Sequence, residues 1–177
     1  DMGALEEKIR KFLKDQGISV MGMAGPERLE GPPSLDPSYT MRGAQSIVCF
    51  AMPMNVEAIY DFLSKKTPVS HNTDQLIANQ KIHHIATRLA AYIQTMGHRA
   101  RAVPTNNNYR RSPDVFATHP VFSHRFGAIA SGIGAQGMSG NVMTREHGAA
   151  VYLSTVVTDA VLESDPLIPA RYFVDNY

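Results

Sequence analysis

The chain has 177 residues, which at roughly 100–200 residues per domain points to one domain. Its composition, 44% apolar and 19% charged, excludes a disordered or coiled-coil chain. Seventeen basic residues against 16 acidic ones leave a net charge of +1 and no Lys/Arg run exceeds two, so no nucleic-acid partner is expected.

Leu5, Ile9, Phe12 and Leu13 recur at helical spacing between Asp1 and Asp15, with Gly17 as the stop. A charged helical pattern at the start, in place of a signal peptide, favours a cytoplasmic location. A start on Asp1, without methionine, is what a piece of a longer protein would show. Ile18 to Met23 reads as a short strand. From Ala24 to Thr40 four prolines and two glycines impose a loop. Ser46 to Met52, SIVCFAM, is a continuous apolar run and predicts a strand buried on both faces. Asn55 is the expected N-cap of a short helix through Phe62. Leu76, Ile77, Ile82, Ile85, Leu89 and Ile93 mark a long helix from about Thr73 to Met96, closed by Gly97. Arg99 to Val103 resumes a strand, and Pro104 with Asn106, Asn107 and Asn108 makes a loop. Phe122 to Ala130 reads as a short helix. Val142 to Thr144 and Ala149 to Thr158 read as the two arms of a hairpin around Glu146-His147-Gly148. Leu162 to Tyr177 has no pattern and reads as a loosely attached tail. No apolar run reaches the ~18 residues of a membrane helix, so no span is expected. The whole is an α/β (α+β) single domain over residues 1–177.

Ser131 to Gly137, SGIGAQG, contains a literal G-x-G-x-x-G at Gly132, Gly134 and Gly137, with Asp159 some way downstream. A dinucleotide fingerprint needs a strand before the glycines and a helix after them, whose N-terminus holds the pyrophosphate. Here a helix-like segment precedes the loop, and no helix of about ten residues fits between Gly137 and Gly148. Two readings of the glycines remain open. They either make a tight helix-to-strand connection, or they present bare backbone to a large planar ligand that side chains would hold away.

The stretch Gly132 to Asp159, GIGAQGMSGNVMTREHGAAVYLSTVVTD, resembles the corrin-contacting segment of cobalamin-dependent reductases, the reductive dehalogenases and epoxyqueuosine reductases. SIVCFAMPMNVEAI, from Ser46 to Ile59, resembles the dehalogenases' strand and following helix. LAAYIQTMGHRARA, within Ala86 to Ala102, resembles the helix-to-strand step before their site. The three blocks occur in the family's order. The resemblance implies a nitroreductase-like core, a mixed sheet flanked by helices, and cobalamin held by Gly132, Gly134, Gly137, Met138, Ser139, Gly140, Asn141 and Met143. It also implies a small-molecule substrate and an electron-donating iron–sulfur protein or a following C-terminal module, since one cysteine cannot supply the four thiolates of a 4Fe-4S cluster. A homodimer stays open.

The chain departs from these families where a proton donor is expected. Asn79 stands at the dehalogenase tyrosine, Tyr152 at its helper arginine and Ala117 at the epoxyqueuosine reductase aspartate. An amide cannot supply a proton as a phenol can. Tyr152 is therefore the expected donor, with Tyr109, beside Arg110 and Arg111, as the second candidate. His119 is a weaker one. The adjacent His83 and His84 point to different sides of a helix and cannot chelate together, so no metal site is expected of the histidines. Cys49, in a buried strand, is expected to be inert. The leading expectation is a cobalamin-binding reductase. The alternatives are a non-catalytic cobalamin carrier and a flavin- or nicotinamide-dependent oxidoreductase on a similar core.

Overall fold

The apolar run at 46–52 takes the centre of the molecule. In the computed structural model, which describes residues 2–105 and 122–176, it forms β2 (Ser46–Pro53), whose first six residues are buried. Its neighbours are β1 (Val20–Ala24) and β6 (Val151–Thr158), and β3 (Ala100–Ala102) closes the four-stranded order β1-β2-β6-β3. The sheet, expected to be mixed, is antiparallel in every ladder. The physical reason is an insertion: β2 and β3 run in the same direction, as a crossover through helices requires, and β6 pairs between them.

The helices cover both faces. α1 (Met2–Asp15) and α3 (Val69–Thr95) pack on one face against Val48, Phe50, Tyr152 and Val156. α4 (His124–Ala130) covers the other, where Cys49, Ala51 and Val151 meet Ala128, Ile133 and Val142. α1 ends as expected: Gly17 adopts a φ of +84° and the Ile18 amide bonds back to the Leu13 carbonyl at 3.0 Å. Asn55 caps α2 (Val56–Leu63), its side-chain oxygen accepting from the Ala58 amide at 3.1 Å. α3 begins four residues before the expected Thr73, and Gly97, at φ +90°, follows it.

Two expectations are corrected. The arms flanking Glu146-His147-Gly148 do not pair as a hairpin. β5 (Val142–Thr144) pairs instead with β4 (Gly134–Gln136), inside the glycine segment, while β6 joins the main sheet. Only the Thr144–Gly148 bridge closes the turn. The segment from Leu162 is not loosely attached. The Asp165 amide donates to the Met23 carbonyl at 2.9 Å and its carboxylate accepts from the Met23 amide at 2.8 Å, so the tail is clamped along the edge strand β1. Arg10 grips the same carboxylate at 2.7 and 2.9 Å, Arg28 binds the Asp165 carbonyl, and Leu162, Ile168 and Phe173 are buried. The chain ends in α5 (Tyr172–Asp175). Covering an edge strand in this way satisfies its exposed amides. The loop at 25–45 is tied down as well: its Arg28 also reaches the Ala130 carbonyl at 2.9 Å, joining loop, α4 and tail.

Candidate cofactor and ligand site

The glycine segment lies on the α4 face of the sheet, and its residues divide into two groups. Gly132 has a φ of +77°, and a Cβ there would strike the Pro166 carbonyl. A Cβ on Gly134 would lie 2.5 Å from Val142 Cγ1, and one on Gly137 the same distance from Met143 Sδ. These three glycines face the chain's own atoms, and Met143 is the side chain filling the space beside Gly137. For them the tight-connection reading is sufficient. Gly22 on β1 completes this packing, because a Cβ on it would strike the Ser131 carbonyl.

The second group is the turn joining β4 to β5. Met138 is 82% exposed, Ser139 and Asn141 are exposed, and Gly140, at φ +78°, has no atom nearer than 4.0 Å to its missing Cβ. An apolar side chain, a hydroxyl, an open glycine and an amide therefore stand together at the tip of a short ribbon. The order of the segment is helix, glycines, strand, with no helix after it, so the pyrophosphate arrangement of a dinucleotide fold is absent here.

Beside this tip a cleft of about 280 Å³ opens between α4, β5 and the start of β6, lined by Met54, Arg125, Asn141, Val142, Val151 and Leu153 among others. Such a volume falls below the roughly 300–1,000 Å³ of a drug-sized site, so it cannot enclose a corrin. Next to the cleft, Met138, Ser139, Gly140 and Asn141 form an open surface turned to solvent.

The candidate proton donors lie elsewhere. Tyr152 alternates with Val151 and Leu153 along β6, so its ring turns to the α3 face, away from the glycine segment. It is 6% exposed, and its hydroxyl donates to Asp74 Oδ2 at 3.0 Å. Burial, reinforced by the Asp74 carboxylate, raises the phenol above its ordinary value of 10.0. Asp74 Oδ2 also accepts from the Asn55 amide at 3.1 Å, so this carboxylate joins β6, α3 and the entry to α2. Asn79 sits half-buried on α3 beside the buried Ala78. The structure thus brings Met138, Ser139, Gly140 and Asn141 together and leaves Tyr152 and Asn79 on the other side of the sheet. Tyr109, Arg110, Arg111, Ala117 and His119 lie outside the described residues.

The histidine that spacing alone does not single out is His124. It is 7% exposed on α4, with Nε2 3.0 Å from the Pro104 carbonyl and Nδ1 3.0 Å from Thr155 Oγ1. Because a carbonyl only accepts, Nε2 carries the hydrogen and Thr155 donates to Nδ1. Desolvation lowers the pKa of this imidazole below 6.5. Thr155 Oγ1 also lies 3.7 Å from Cys49 Sγ, whose thiol burial pushes up to about 12, keeping it protonated and unreactive. His83 and His84 are exposed on α3. The one local signal for His124 is its place just after an N-cap serine, Ser123, at the start of a buried helix.

No protein-family model and no curated protein matches the sequence. Solved structures do match. An epoxyqueuosine reductase captured with an epoxyqueuosine-modified tRNA-Tyr stem loop superposes over 96% of this chain and 49% of its own, at 17% identity and a TM-score of 0.62. The epoxyqueuosine reductase from Bacillus subtilis covers the same shares at 17% identity and a TM-score of 0.59. A reductive dehalogenase described in connection with B12-dependent dehalogenation matches over 92% of this chain and 21% of its own, at 17% identity and a TM-score of 0.63. The chain spans about half the length of the epoxyqueuosine reductases and about a fifth of the dehalogenase. Among the described residues no helix is long and apolar enough to cross a membrane. The α/β sheet with its flanking helices is the fold of one part of the epoxyqueuosine reductases and reductive dehalogenases.

Proposed function

We propose that this chain is the cobalamin-binding part of a reductase acting on a small organic molecule. The observation that carries this reading is the open ribbon tip at Met138–Asn141, on a fold shared across 92–96% of the chain with epoxyqueuosine reductases and a B12-dependent dehalogenase. When bound, cobalamin supplies a strongly reducing low-valent cobalt. The chain's own residues would support and orient it: Met138 offers apolar contact, Ser139 and Asn141 offer polar groups to the ring's amide substituents, and Gly140 leaves room for close approach. Gly132, Gly134, Gly137 and Met143 hold this tip in place from behind. Electrons would come from an iron–sulfur protein or a further module, since Cys49 is the single thiol of this sequence.

Tyr152, the donor expected from the sequence, has its hydroxyl held by Asp74 on the sheet face opposite the ribbon tip, so we assign it a packing role and not that of proton donor. One similar structure was captured with a tRNA stem loop. A net charge of +1, with no basic run longer than two, favours a small-molecule substrate for this chain.

Anaerobic incubation with hydroxocobalamin, flavin mononucleotide and a nicotinamide cofactor in turn, read by absorbance after gel filtration, tests the reading. Retention of cobalamin alone is expected. Retention of flavin without cobalamin would replace the reading with that of a flavin oxidoreductase on a similar core.

A further inference from the structure

Among the described residues, most arginines are engaged by the protein itself. Arg10 pairs with Asp165, Arg28 with two carbonyls, Arg99 with Asp159, and Arg171 with Asp175. Arg88 binds Gln16 and lies over Phe12, Arg101 reaches the Thr40 carbonyl, and Arg145 lies 4.8 Å over the Tyr172 ring. Among the described residues two guanidinium groups have no such partner, Arg42 and Arg125. Arg125, in the first turn of α4, lines the cleft of about 280 Å³ beside the ribbon tip. Its apolar walls are Met54, Val142, Val151 and Leu153, with the Asn141 amide as a further polar group.

We infer that this cleft binds a small organic carboxylate, with Arg125 taking the carboxylate and the apolar walls taking its body. The assignment rests on the cobalamin reading for its place in a reaction, since it names the substrate class presented beside the cofactor. Volume decides the size. At about 30 Å³ per water in the liquid, the cleft holds about nine waters' worth, room for one ring or a short branched chain with its carboxylate. Charge decides the head group, because Arg125 is the one charged side chain among the described residues that line the cleft, and a guanidinium fork matches a carboxylate in two parallel hydrogen bonds. The apolar walls decide against a bare inorganic anion, which would gain nothing from Met54, Val142, Val151 and Leu153 and would have to shed water against them.

The test uses 4-fluorobenzoate, observed by fluorine NMR on the whole chain, with 4-fluorobenzyl alcohol as the uncharged counterpart and inorganic phosphate as competitor. The carboxylate is expected to bind at least about tenfold more tightly than the alcohol, the scale of one charge-assisted contact. Arg125→Gln should remove that preference. Ala149→Phe, which places a ring into the cleft from an exposed position, should weaken both ligands, with circular dichroism confirming that each variant is folded. Equal binding of acid and alcohol, an unchanged preference in Arg125→Gln, or no binding at all would overturn the assignment. Displacement by phosphate as effective as by benzoate would overturn the organic part of it. Each titration is run without and with hydroxocobalamin, so the carboxylate preference is measured even in a chain that refuses cobalamin, and the two failures stay distinguishable.

Discussion

The base and the tip of one glycine-rich segment have opposite surroundings. At the base, Gly132, Gly134 and Gly137 are glycines because the Pro166 carbonyl, Val142 and Met143 occupy the space a side chain would need. At the tip, Gly140 faces nothing within contact distance and Met138 is exposed. A glycine cluster read from sequence is therefore two features: a closed packing motif, and a short open surface that the motif carries. Ligand contact belongs to the second.

Substitutions can break this comparison in order of expected effect. Gly132→Ala forces a Cβ onto a backbone carbonyl at a positive φ, where neither partner can yield. It should cost about 3 kcal/mol of stability in a urea titration. A cost below about 1 kcal/mol would mean that the base is not closed. Tyr152→Phe removes the hydroxyl bonded to Asp74 and should cost about 1 kcal/mol. Because its ring lies on the sheet face opposite the ribbon tip, hydroxocobalamin binding should be unchanged. Weakened hydroxocobalamin binding in this variant would show that the α3 face also meets the cofactor. Met138→Ser should leave stability within about 0.5 kcal/mol, as for other exposed positions, while weakening hydroxocobalamin binding. That separates tip from base in one pair of assays.

The support beneath the base has its own pH signature. α4 is anchored by His124, whose native pKa lies below 6.5 because the ring is buried. Below about pH 6.5 the unfolded chain takes up a proton that the native imidazole refuses, so this contribution to stability is complete above that pH and declines as the pH falls through the native value. Denaturation midpoints of the wild-type chain should therefore fall between about pH 7 and 5.5, and the fall should be shallower in His124→Gln. Equal slopes would show that another group governs this range.

What the sequence revealed follows from how local its signals are. The apolar run at 46–52, the Asn55 cap, and the helix closed by Gly97 all announce themselves within a few residues, and the structure has each of them. Strand partners are non-local. Val142–Thr144 is a strand as expected, yet its partner lies inside the glycine segment, where Gly134-Ala135-Gln136 carries no β-branched residue to mark it. The order of the tail was hidden for the same reason. Asp165 is held by Arg10 and by the Met23 amide, partners 155 and 142 positions away. The division of the glycines and the cleft at Arg125 depend on which atoms arrive from elsewhere in the fold, and no spacing encodes that.

Hydrogen exchange across residues 131–144, measured with and without hydroxocobalamin, tests the division most directly. The peptide carrying Met138–Asn141 should exchange rapidly in the free chain and slow when the cofactor binds, while the peptide spanning Gly132–Gly137 stays slow in both. Cofactor-dependent protection at Gly132–Gly137 with none at the tip would contradict the account.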